Sequence, residues 1–161
     1  MSTATDALRY RQVIGHFATG VAIVTCYGPD GPSGLTTNAI TSVSLEPLLL
    51  LVCFDNGSRT LPAVRSARRF AVNILRAGQE DLAAVFASKR VGREKFESVT
   101  HTVAHGVPVL DDALAWVACE LVELLPGGDH TIGIGSVVAG AASGGEPLVF
   151  QDGGYRSLET G

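Results

Sequence analysis

At 161 residues, with 46% apolar and 17% charged side chains, the chain is long enough for one domain with a true core, and its sparse charge leaves surface to share with a second subunit. A net charge of −4 without a basic cluster argues against nucleic acid as partner, and no apolar run approaches the roughly 20 residues of a membrane span. No opening stretch has the pattern of a secretion signal, and Cys26, Cys53 and Cys119 lie far apart without a CxxC, so a cytoplasmic protein with buried thiols is expected.

In chain order, residues 6–19 read as a helix that Asp6 caps, with Tyr10, Val13, Ile14 and Phe17 on one face and Gly20 at its end. Residues 20–27 are rich in branched side chains, and the turn at 28–32 predicts that the strands on either side of it form a hairpin. A polar run from Gly34 to Ser44 reads as a small polar-lined strand, and residues 48–54 as a buried one. Residues 56–60 form a turn into a short helix at about 61–66, with Pro62 in its first turn. Strand 69–75 and helix 79–88 come next, the helix carrying an apolar stripe of Leu82, Ala83, Val85 and Phe86. Residues 91–106 are polar without a clear period and are expected to be a surface loop. Strands 113–125 and 130–142 pair across the turn at 126–129, and residues 147–158 supply a last short strand or two. Many short strands with glycine-rich turns and few helices predict a closed antiparallel barrel with peripheral helices.

The stretch from Gly34 to Thr60 carries the chemistry. Backbone N–H groups at a helix N-terminus favour an anion, and Arg59 adds a full charge, so the turn suits a phosphate beside a polar ring system. No G-x-S-x-G turn presents a nucleophile, and no Walker loop or G-x-G-x-x-G follows a strand. His101 and His105 are four apart, but Gly106-Val107-Pro108 breaks any helix that would align them, so no metal site is assigned. By spacing alone His130, beside Asp129 in a turn, reads as an exposed loop residue.

Five motifs in order resemble the short-chain flavin reductases, the reductase partners of two-component flavin monooxygenases. They are residues 34–44 (GLTTNAITSVS), residues 70–75 (FAVNIL), Phe86-Ala87-Ser88 with Lys95-Phe96, residues 128–135 (GDHTIGIG), and residues 147–150 with Gly154-Tyr155. The resemblance implies a mainly β fold, a split β-barrel (a Greek-key antiparallel barrel) with peripheral helices. One such domain would span residues 1–161 and act as a homodimer holding flavin near its interface. By motif, Thr36, Thr37, Asn38, Ser42, Val43 and Ser44 would line the flavin ring and ribityl chain. Cys53, Phe54 and Asp55 would sit beside the ring, and Ser58, Arg59 and Thr60 would take the phosphate. Phe86, Ala87, Ser88 and Phe96 would close one side. His130, as the catalytic residue, and Tyr155 would meet the nicotinamide nucleotide, which reverses the idle reading of His130. Gly133 stands where the family commonly has a bulky residue, so a roomier site is expected after His130.

The implied reaction is hydride transfer from NADH or NADPH to FMN or FAD, with reduced flavin passing to a flavin-dependent monooxygenase; no nucleic acid or membrane is involved. The cofactor carries the redox chemistry and the protein supplies geometry. The competing readings on the same barrel are a flavin- or haem-binding carrier or sensor without turnover, and a pyridoxamine-phosphate oxidase relative. The GDH motif favours the reductase, since a pure binder needs no nicotinamide-facing histidine.

Overall fold

The computed structural model describes residues 5–159. Helix α1 (Ala7–Gly15) begins where expected: the Asp6 carboxylate accepts from the Arg9 N–H at 2.8 Å. It ends four residues earlier than the expected 19, because Thr19 and Gly20 are drawn off as β1 (Thr19–Gly20) to pair with Phe150 and Val149. Strands β2 (Ala22–Gly28) and β3 (Gly31–Thr37) form the expected hairpin. The polar run is two strands rather than one. The Thr37 hydroxyl accepts from the Ala39 N–H at 3.0 Å, and this local turn ends β3 and starts β4 (Ile40–Leu45) in a new direction.

Strand β5 (Leu48–Asp55) leads into α2 (Thr60–Ala67), then β6 (Arg69–Ile74) and α3 (Glu80–Ala87), all close to expectation. The expected loop at 91–106 is instead α4 (Gly92–Phe96) and β7 (His101–Ala104), which pairs with β8 (Val107–Leu110). His105 and Gly106 supply the positive φ values (51° and 77°) of that tight turn. The hairpin is held on β2 and β6 by Asn73, whose amide donates to Ile23 O and Thr25 Oγ1, both at 3.0 Å, and accepts from the Leu110 N–H at 2.9 Å. Those bonds lie in tertiary contact, so no local periodicity announces them. Strands β9 (Ala115–Gly127) and β10 (His130–Ala142) form the long hairpin, and β11 (Val149–Gln151) and β12 (Gly154–Arg156) close the chain. Among the described residues no helix is long and apolar enough to cross a membrane.

The main sheet has seven antiparallel strands in the order β3-β2-β6-β9-β10-β5-β4. Flat, its edges would stand about 29 Å apart at about 4.8 Å per strand. Yet the edge strands β3 and β4 are joined by Asn38 and Ala39 alone, which spans at most about 11 Å. The sheet must therefore curl until its edges meet. β3 and β4 are its two edge strands and do not pair with each other, so the barrel is split rather than closed.

Its interior holds Val24, Val52, Phe54, Phe70, Val72 and Cys119, and α2 plugs one end with Leu61 and Val64. Ile23, Leu75, Phe86 and Phe96 pack on the outer face beneath α3 and α4. Gly133 opens no space toward a substrate. It faces the interior, where a Cβ would come within 2.8 Å of Phe54 Cε2, and Phe54's ring occupies the room the glycine leaves.

Candidate functional site

The site lies along the split, where β5 runs on past the last pairing of β4. Alternation puts Cys53 and Asp55 on the outer face of β5 and Phe54 inside. Two clefts adjoin there. One, about 560 Å³, is lined by Thr36, Asp55, Ser58, Arg59, Thr60 and Ser88, with Lys89, Arg90 and Lys95. The other, about 890 Å³, takes Asn38, Thr41, Leu51 and Cys53 from the strands, Arg11, Ile14 and Phe17 from the α1 side, and Phe150. Thr36 and Asn38 on one edge, and Asp55 and Cys53 on the other, are each two residues apart. At two strand residues, about 7 Å, the clefts are neighbours along one groove.

The smaller cleft is cationic: Arg59, Lys89, Arg90 and Lys95 face the single carboxylate of Asp55. That carboxylate is partly spent on the Gly57 N–H at 2.7 Å, and Ser58 Oγ accepts from the Leu61 N–H at 3.2 Å, which shapes the turn into α2. Thr60 is buried and shares a hydrogen bond with Ser33 at 3.1 Å. Lys95 is buried with its ammonium donating to Gly34 O at 3.1 Å and Phe86 O at 3.0 Å. Burial, then the nearby Arg59 charge, lowers its pKa below the ordinary 10.5.

His130 sits opposite Asp55 in the β5–β10 ladder, so it shares the outer face with Asp55 and Cys53. Its Nδ1 is 2.7 Å from Asp129 Oδ1. That hydrogen bond, then the charge of His130, holds the Asp129 carboxyl below its usual range, and Arg11 adds to the effect.

The groove thus gathers Thr36, Asp55, Ser58, Arg59, Thr60, Phe86, Ala87 and Ser88 around one cleft and Asn38 and Cys53 around the other. Other expected residues are placed differently. Phe54 is wholly buried and meets Phe70 edge-on at 6.1 Å, so only its backbone is left for a ligand. Phe86 borders the smaller cleft, but it and Phe96 are buried and meet edge-on at 5.0 Å, a packed floor rather than a free aromatic wall. Thr37 is engaged in its own turn. Ser42, Val43 and Ser44 lie on the edge strand β4, at a register shift, and line neither cleft. Tyr155 packs edge-on against Phe150 at 5.7 Å, beside the larger cleft.

Sequence reasoning passed over three groups. Lys89 and Arg90 directly follow the Ser88 motif, and two adjacent cations at the end of α3 were the available signal. Thr19 lines the larger cleft and is the one buried side-chain polar atom among the described residues without a hydrogen-bond partner; no local pattern marks it.

These features fit a flavin. The cation set suits its phosphate. The larger cleft has the mostly apolar lining of a cofactor site, with the Thr19 hydroxyl unengaged and Asn38 and Thr41 for polar ring edges. Among the described residues no group of three or more metal-ligating side chains comes together.

The family model for the flavin reductase like domain matches residues 14–159. The reductase component of the 4-nitrophenol 4-monooxygenase/4-nitrocatechol 2-monooxygenase of Rhodococcus opacus is 41% identical over 151 residues, 93% of this chain and 80% of that protein. A Rhizobium meliloti protein named "Probable flavin reductase" is 41% identical over 152 residues, and there the chain spans 93% of itself but only 48% of its relative. Among solved structures, the NADH:FAD oxidoreductase of Streptomyces globisporus superposes with a TM-score of 0.91 at 34% identity, covering 99% of this chain and 98% of that one. A cationic cleft, a mostly apolar cleft and a histidine turn on one split barrel agree with these likenesses: the chain belongs to the flavin reductase like family and is an NAD(P)H-dependent flavin oxidoreductase.

Proposed function

We propose that residues 1–161 form one domain that works as a homodimer in the cytoplasm, reducing FMN or FAD with NADH or NADPH and passing reduced flavin to a partner flavin-dependent monooxygenase. The observation that carries the site assignment is the adjacency of the two clefts along the split, with His130 on the same face. Flavin, when bound, supplies the redox chemistry as hydride acceptor.

The chain's own side chains do the rest. Arg59, Lys89 and Arg90 attract and hold the phosphate at the start of α2, with Ser58 and Ser88 beside them. Asn38 and Thr41 are there for the ring's polar edges, and Leu51, Cys53 and Ile40 exclude water from its apolar part. His130 flanks the groove at the Asp55 end, where it can orient a nicotinamide over the ring; holding the reacting atoms in contact is the main catalytic task. Leu8, Val13 and Phe17 on or next to α1, with Val43, Leu45 and Leu48 at the β4–β5 tip, are exposed apolar groups that support association with a second copy. Free Cys26, Cys53 and Cys119 support a reducing compartment.

The test is NADH and NADPH oxidation by the purified protein with and without FMN, FAD and riboflavin, together with its mass in solution. Turnover that requires added flavin, from a dimer, is expected. Flavin binding without turnover would sink the reductase reading for this chain.

A further inference from the structure

We infer that Asn56 is a positioning residue for the nicotinamide step, bolting the turn that carries His130 to the turn that carries the phosphate site; the inference rests on the proposed role of His130. Asn56 directly succeeds β5, and three hydrogen bonds run from it to the opposite turn. Its backbone N–H donates to Asp129 O at 3.1 Å, its Nδ2 donates to Gly128 O at 3.2 Å, and its Oδ1 accepts from Thr131 Oγ1 at 2.6 Å. The contacts reach Gly128 and Asp129 before His130 and Thr131 after it, so the histidine's backbone is gripped on both sides.

An asparagine in a turn ordinarily bonds to its own backbone two residues on. Here Asp55 does that, accepting from the Gly57 N–H. Asn56 is thereby free to spend both ends of its amide on residues 72 and 75 positions away. An amide places its donor and its acceptor on separate atoms of one short side chain, as a bridge to Gly128 and Thr131 requires; aspartate lacks the donor.

The grip passes to the imidazole through Asp129. With Asp129 O held by Asn56, its carboxylate is set to accept from His130 Nδ1 at 2.7 Å. The pairing places the proton on Nδ1 and leaves Nε2 as the outward nitrogen. The Asp129 carboxyl, held below its usual range by His130 and by Arg11, stays ionised to do so. On the other side, Asn56 abuts Asp55, Gly57 and Ser58, the residues that shape the phosphate turn. One residue therefore ties the turn at the start of α2 to the turn that carries His130.

The test compares Asn56→Ala, Thr131→Val and Thr131→Ser, each alone, and Asn56→Ala combined with His130→Ala. Asn56 is exposed, so its variant keeps the core intact. A displaced imidazole lowers kcat/KM for NADH by about 10- to 100-fold in Asn56→Ala, while flavin affinity measured by titration without NADH stays within about twofold of wild type, since phosphate and ring contacts are untouched. Thr131→Ser, which keeps the hydroxyl, behaves as wild type, and Thr131→Val behaves as Asn56→Ala does. In the His130→Ala background Asn56→Ala causes no further loss, the mark of two residues acting as one unit.

In flavin-free protein with nitrogen-15 histidine, the wild type shows His130 as the Nδ1–H tautomer and Asn56→Ala a mixture. Multiplying losses in the double variant, an unchanged tautomer, or flavin affinity falling in step with NADH use would each overturn the inference. If His130→Ala itself left NADH use intact, the reading of the site would fail along with it; an inert Asn56→Ala beside a crippled His130→Ala would remove the inference alone.

Discussion

Replacing Arg59 by alanine separates the phosphate from the ring. Arg59 is an exposed cation at the start of α2, facing the cleft that also holds Lys89, Arg90 and Lys95. A flavin phosphate carries about −1.5 to −2 charges near neutral pH. A unit pair at about 4 Å is worth about 1 kcal/mol in water and about 4 kcal/mol at the effective dielectric of a protein surface. Because Arg59 is solvated and three other cations remain, the lower part of that range applies. A charge-assisted hydrogen bond contributes about 1.5–3 kcal/mol, so the loss lies at about 1–3 kcal/mol. Arg59→Ala therefore weakens FMN binding by about 5- to 150-fold, and leaves riboflavin, which has no phosphate, within about twofold. Quenching of flavin fluorescence on titration, without NADH, reads both constants. Raising ionic strength weakens FMN binding to the wild type and has less effect on the variant, since screening removes the same attraction. Equal losses for FMN and riboflavin would show that Arg59 supports the fold of the groove rather than the phosphate, and the anion-site argument would then be wrong.

Lys95→Met changes the pH dependence of stability. The folded pKa of Lys95 is lowered from 10.5, so the folded chain binds fewer protons than the unfolded one as pH rises toward that value. The charge-burial cost is fully present below the lowered pKa and relieved above it, so the wild type gains stability across this window; melting at alkaline pH values should show that slope flattened in the variant. Gly133→Ala brings a Cβ to 2.8 Å from Phe54 Cε2. Overpacking of this kind costs about 1–3 kcal/mol, or about 2–12 °C in Tm, and Phe54→Leu on the same chain recovers part of it; an unshifted Tm would mean that the ring yields freely. Burial pushes the Cys26 and Cys119 thiols up to about 12, whereas Cys53 lines the larger cleft. A thiol reagent on native protein therefore labels Cys53 first, and bound FMN slows the reaction; labelling indifferent to FMN would move the ring away from Cys53.

Much of the fold and of the groove is legible in the sequence. The apolar run from Leu48 announces β5, and Pro126-Gly127-Gly128 announces the β9–β10 hairpin; the cationic turn is marked by Arg59 standing at a helix start. Where the structure departs from the sequence reading, the causes are physical. Cys53, Phe54 and Asp55 are all expected beside the ring, yet three successive residues of one strand cannot share a face, and Phe54 is the one turned inward. The β7–β8 hairpin reads as loop because its strands are four residues each and are held by Asn73 from β6, a bond between segments 37 residues apart. Asn56 owes its importance to Gly128 and Thr131, 72 and 75 residues along the chain, and local pattern carries no trace of that.

The core also sets the geometry of the site. His130 faces Asp55 only in the present β5–β10 register, which runs unbroken from His130↔Asp55 to Ser136↔Leu49. The irregularities of β10 against β9, between Ile134 and Gly135 and between Val137 and Ala139, fall well beyond the histidine. A slip of one residue would turn Cys53 inward if β5 shifted, or His130 inward if β10 did. What forbids the slip is packing: Gly133 and Gly135 leave room for Phe54 and Phe70, where a Cβ would come within 2.8 and 2.7 Å of those rings. Moved by one position, the rings would meet Ile132 or Ile134 side chains instead of bare backbone. The glycines that look like weak points in a strand are thus what locks its register, and through the register they aim the histidine; Asn56 then completes locally what the barrel interior fixes at a distance.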